Sequence, residues 1–96
     1  MRLFWTPRAR RDLRELVAYI AEDSVQTAEA VLQRILNSAA GLTDMPHAGR
    51  AGRISGTRER VVQRTPFILV YRVDPEQVRV LRILRGARKW PDSFSS

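Results

Sequence analysis

The chain has 96 residues, no cysteine, one histidine and a formal charge of +7. That length suits one domain, and the missing cysteine excludes disulfides, thiolate catalysis and Cys-based zinc sites. With 44% hydrophobic and 28% charged residues the composition is that of a globular protein and not of a disordered segment.

Residues 2–6 (Arg-Leu-Phe-Trp-Thr) predict a short strand that ends at Pro7. Thr6-Pro7 also opens a helix, with a capping hydroxyl followed by a proline whose missing N–H costs nothing there. Ala9, Leu13, Leu16, Val17 and Ile20 then form one apolar stripe at helical spacing. Arg10, Arg11, Asp12, Arg14 and Glu15 are expected to be ordinary surface positions. Asp23-Ser24 breaks this helix and caps a second, whose stripe is Ala28, Val31, Leu32, Ile35, Leu36, Ala39 and Leu42. The two predict an antiparallel helical hairpin.

Pro46 to Thr57 reads as a loop holding Gly49, Gly52, Gly56 and His47. Three strands follow, at Glu59–Gln63, Phe67–Val73 and Gln77–Leu84, with turns at Arg64-Thr65-Pro66 and Asp74-Pro75-Glu76. Short turns favour an antiparallel meander. The order β-α-α-β-β-β predicts an α+β fold with the hairpin packed on an antiparallel sheet. Residues 1–91 are expected to form the single domain, and 92–96 a frayed tail.

No apolar run is long enough to span a bilayer, so no membrane partner is expected. The N-terminal residues lack the apolar core of a signal peptide, and the cytoplasm is the expected compartment. The charge is uneven. Residues 1–45 carry six Arg and six acids, whereas residues 46–96 carry ten Arg and Lys89 against four acids. Genome composition accounts for arginine in place of lysine but not for this asymmetry, which points to an anionic partner.

The usual catalytic sets are missing. His47 is the lone histidine, in a glycine loop, and is expected to be solvated. The glycines at 49, 52 and 56 are not followed by Gly-Lys-Ser/Thr, so they make no phosphate loop. No metal and no cofactor are expected. Arginine on and around the strands remains. Arg58, Arg60 and Arg64 share parity, as do Arg79 and Arg85, and Arg72 and Arg82 interrupt apolar strands. Guanidinium binds phosphate or carboxylate through a planar fork and stabilises developing anions, but it is a poor general base. Trp90, beside Arg88 and Lys89, is expected to anchor the last strand over the hairpin, with stacking on a base as the other reading. Candidate target-binding residues are Arg58, Arg60, Arg82, Arg85, Arg88 and Trp90. His47, Arg50, Arg53 and Glu59 are weaker candidates.

Taken in order, several segments resemble the RelE/ParE toxin superfamily over nearly the whole chain. They are Trp5-Thr6-Pro7-x-Ala9, Asp12-Leu13, Tyr19-Ile20-Ala21, Pro46-x-x-Gly49-Arg50, Gly56-Thr57-Arg58-Glu59, Phe67 to Arg72 and Val80 to Pro91. The resemblance implies two antiparallel helices against an antiparallel sheet. It also implies a cognate antitoxin whose acidic C-terminal segment wraps and neutralises the toxin in a hetero-oligomer. RelE-like members cleave messenger RNA on the ribosome, and ParE-like members bind and inhibit DNA gyrase. Cleavage needs groups that activate the ribose 2′-hydroxyl and protonate the leaving oxygen. Many relatives have His where this chain has Arg85, and no His or Tyr follows Tyr71. Glu59 has the opposite parity to Arg58 and Arg60. The chain therefore resembles the ParE branch more nearly. A ribosome-dependent endoribonuclease and a non-toxic antitoxin-binding partner are the alternatives.

Overall fold

The computed structural model describes residues 1–86 and 89–94. The elements are β1 (Arg2–Trp5), α1 (Pro7–Asp23), α2 (Val25–Gly41), β2 (Arg50–Ala51), β3 (Arg58–Val61), β4 (Phe67–Val73) and β5 (Gln77–Arg85). The two helices pack on a five-stranded sheet of order β1-β5-β4-β3-β2, which gives the α+β class expected from the sequence.

Two features go beyond the expected meander. The sheet is mixed, because β1 lies parallel to β5 while every other pairing is antiparallel. Turn lengths govern only strands consecutive in the chain, and β1 reaches the edge from before the hairpin. The glycine loop also contains β2, a strand of two residues, which is too short to show periodicity.

The caps form where the sequence places them. Thr6 Oγ1 accepts from the Ala9 N–H at 3.1 Å and donates to the Leu81 carbonyl at 3.0 Å. Its own N–H reaches the Val80 carbonyl at 3.1 Å. One buried threonine thus starts α1 and ties it to β5. Ser24 closes α1 through its N–H to the Ile20 carbonyl, and its hydroxyl caps α2 at the Thr27 N–H. A single residue therefore joins the hairpin.

Directly paired residues share a sheet face. The helix-facing side carries Leu69, Tyr71, Val78, Val80 and Ile83, which pack with Ala9, Val31, Ile35, Ala39 and Leu42. The opposite side carries Ile68, Val70, Arg72, Arg79, Arg82 and Leu84. Val70 and Leu81 are fully buried, so β4 and β5 are covered on both faces near their centres. Between Val70 and Tyr71 the register slips, Val70 pairing with Arg82 and Tyr71 with Val80, which leaves Leu81 as the extra residue of a bulge. This slip corrects the equal parity of Arg79 and Arg85. Arg79 pairs with Arg72 on the far face, whereas Arg85 pairs with Phe67 on the helix side.

Candidate functional site

The glycine loop folds back on β3 and β4 and is held by three buried or half-buried side chains. The Tyr71 hydroxyl, at the centre of the sheet, donates to the Pro46 carbonyl at 2.8 Å and accepts from the Gly49 N–H at 2.9 Å. Arg58 Nη1 donates to the Gly49 carbonyl at 2.9 Å. A Cβ at position 49 would meet the Tyr71 hydroxyl at 2.5 Å, so this close approach requires glycine.

Glu59 is the second hub. Its side chain is 2% exposed and on the far face of the sheet, in register with Val70. One carboxylate oxygen accepts from Arg50 Nη2 at 3.0 Å, and the other from the Arg53 N–H at 2.7 Å, with Arg53 Nε at 3.3 Å. Burial pushes the carboxyl upward, but the Arg53 N–H, the Arg50 hydrogen bond and the charges of both guanidinium groups outweigh it and hold the pKa below the ordinary value. Both oxygens of this buried carboxylate are thus engaged by Arg50 and Arg53.

Arg53 extends the cluster to the C-terminal segment. Its guanidinium carbon lies 3.4 Å from the centroid of the Trp90 ring, and the indole N–H donates to the Arg85 carbonyl at 3.0 Å. Trp90 is thus an anchor, but its partner is the loop after β2. It does not belong to the cluster packed between sheet and hairpin.

The structure separates the remaining candidates. Arg58 and Arg60 lie on the helix-facing side of β3, Arg60 exposed at its edge. Arg82 lies on the opposite side and reaches around to Asp12 on α1. Arg85 is exposed near Phe67, with 5.6 Å between its guanidinium and the ring. Arg88 lies outside the described residues, as do Ser95 and Ser96 of the tail. His47 is exposed in the loop. Asp12 is not an ordinary surface residue. It is 12% exposed, accepts from Arg82 at 2.7 and 3.2 Å, and accepts from the Ile83 N–H at 3.0 Å. Its place beside the stripe of Ala9, Leu13 and Leu16 was the available signal. Among the described residues no group of acids and histidines is placed to hold a metal ion.

A fold of this order, with a basic loop-and-tail surface on one sheet face, matches a known class. The family model described as "ParE toxin of type II toxin-antitoxin system, parDE" matches residues 3–90, and the chain belongs to that family, within the RelE/ParE toxin superfamily. It is 39% identical to the toxin-family protein Y4kP of Sinorhizobium fredii over 94% of this chain and 93% of that one. It is 31% identical to toxin RelE2 of Caulobacter vibrioides, over 88% of this chain and 93% of that one. Among solved structures, the chromosomal ParDE system of P. aeruginosa aligns with a TM-score of 0.78 and 30% identity, over 88% of this chain and 95% of that one. The RelBE2 toxin–antitoxin complex of Mycobacterium tuberculosis aligns with a TM-score of 0.64 and 26% identity over the same shares. The chain is a type II toxin–antitoxin toxin of the ParE/RelE family. No helix among the described residues is long and apolar enough to cross a membrane.

Proposed function

We propose that this toxin arrests growth by binding DNA gyrase, in the ParE manner, and does not cut RNA. The observation that carries the reading is the state of Glu59 and Tyr71, two proton-bearing groups on opposite faces of the sheet. Both carboxylate oxygens of Glu59 are taken by Arg50 and Arg53, and the Tyr71 hydroxyl is buried and bonded both to Pro46 and to Gly49. Ribose 2′-hydroxyl attack needs a group to take a proton and another to return one. The arginines around them can hold an anion but cannot exchange protons at neutral pH.

A cognate antitoxin with an acidic segment is the expected partner. A groove of about 470 Å³ between α1 and β5 suits it. Half-buried Leu16 and exposed Tyr19 offer apolar surface there, and Arg8 and Arg85 line it together with the carboxylates of Asp12 and Glu15. An acidic amphipathic segment would set its apolar side chains on Leu16 and Tyr19 and its carboxylates against the Arg8 and Arg85 guanidinium groups.

Likeness to toxin RelE2 favours a second reading, a ribosome-dependent endoribonuclease. Plasmid supercoiling by purified gyrase tests the first. Inhibition that rises with toxin concentration supports it, and full supercoiling at saturating toxin contradicts it.

A further inference from the structure

On the helix-facing side, away from the loop-and-tail cluster, α2 and the end of β3 enclose an open groove of about 380 Å³. Arg34 enters from α2, Arg60 from β3 and Arg64 from the turn after it. Arg64 holds φ at 63°, in the left-handed region, within a turn closed by the Val62 N–H to the Phe67 carbonyl and the Thr65 N–H to the Val62 carbonyl. Its side chain is therefore presented from a fixed backbone. No carboxylate lines the groove, and none of the three guanidinium groups has an ion-pair partner among the described residues. Arg50 and Arg53, by contrast, converge on the carboxylate of Glu59. In the groove three like charges line one concave surface, with a long contact of Arg60 Nη1 to the Ala48 carbonyl at 3.5 Å and no acid among them, an arrangement that concentrates anions.

The neutral lining favours phosphate over a peptide carboxylate. Asn37 accepts from the Gln33 side chain through Oδ1 at 2.9 Å, which directs its amide N–H groups to other acceptors. Ser38 adds a hydroxyl. Amide and hydroxyl donors beside arginines are the usual phosphate-contacting set. An acidic peptide would also need an apolar floor to bury its own anchors. Val61 is the sole exposed apolar side chain in the lining, since Val62 is already buried in the core. We infer that this groove binds the phosphodiester backbone of a nucleic-acid strand, through Arg34, Arg60 and Arg64. The inference goes beyond the gyrase reading and does not depend on it.

The test is fluorescence anisotropy of a labelled oligothymidylate titrated with the toxin across a salt series. Three phosphate contacts on a single strand give a slope of log K against log salt of about −2, at roughly −0.7 per contact. The variant Arg34→Gln/Arg60→Gln/Arg64→Gln is expected to flatten the slope by about 2, and Arg64→Gln alone by about 0.7. The variant Arg2→Gln/Arg10→Gln/Arg14→Gln, which removes the same charge from other exposed positions, is expected to leave most of the slope in place. Equal loss in both triple variants, or no loss in the groove variant, overturns the assignment. Displacement of the oligonucleotide by poly-glutamate as readily as by tripolyphosphate overturns it in favour of an acidic peptide.

Discussion

Asp12 and Arg82, 70 residues apart in the chain, meet in a two-pronged ion pair at 2.7 and 3.2 Å. The same carboxylate accepts the Ile83 N–H at 3.0 Å, on the edge of β5 beyond its pairing with β1. Asp12 thus stands in for the strand that β1 is too short to supply. Asp12→Ala is expected to lose about 2–3 kcal/mol, because it leaves a part-buried guanidinium and a strand N–H unpaired. Asp12→Asn retains an acceptor for Ile83 and is expected to lose less. Urea unfolding midpoints read both, and an unchanged midpoint in Asp12→Ala would remove this pair from the account of stability.

Tyr71 has the same role for the glycine loop. Tyr71→Phe keeps the ring in the core but leaves the Gly49 N–H and the Pro46 carbonyl without their partner. A loss of about 1–3 kcal/mol is expected. Hydrogen exchange at Gly49 and Arg50 is expected to rise more than exchange in α2. Uniform protection in the variant would show that the loop is held by other contacts.

Much of this was legible in the residues. Thr6-Pro7 and Ser24 announced their caps, and the two stripes identified the helix faces that pack inward. The mixed sheet was not legible, since direction in an edge strand depends on pairing and not on periodicity. The Leu81 bulge was hidden too, because an apolar residue in an apolar run gives no sign that alternation has slipped. That slip places Arg79 and Arg85 on opposite faces. Of the site, the sequence marks Arg50, Arg53, Glu59 and Trp90 singly, but not their meeting. Arg53 and Trp90 are brought together by a loop and a tail, for which sequence spacing carries no geometry. The role of Asp12 is not legible, because a charge beside an apolar stripe usually points to water.

Glu59 makes stability depend on acid. Its folded pKa lies below the ordinary glutamate range, so the ionised form is favoured by folding. That contribution is present above the unfolded value and is lost as pH falls through the folded one. Wild-type protein is expected to weaken as the pH falls below that range, and Glu59→Gln to be less stable at neutral pH with a shallower acid dependence. Thermal melts across that interval measure it. Parallel curves for the two proteins would mean that the carboxylate contributes nothing through its charge.

Ile35 and Leu32 neighbour each other on α2 but differ in depth. Ile35 is 0% exposed, and Leu32 is half-buried. Ile35→Asp is expected to abolish cooperative folding by placing an unpaired charge in the core, and Ile35→Ala to cost about 2–5 kcal/mol. Leu32→Asp is expected to be the milder of the two aspartate variants. Circular dichroism melts distinguish them, and a cooperatively folding Ile35→Asp protein would contradict the packing of α2 on the sheet.

The most direct measurement divides one preparation of toxin between two reactions: gyrase with relaxed plasmid, and translating ribosomes with a defined message. Loss of supercoiling with intact message is the predicted result, and it would make the arginine surface a binding surface. Codon-phased cleavage with unaffected gyrase would contradict it, and would mean that a proton carrier acts on this toxin that Glu59 and Tyr71 do not provide.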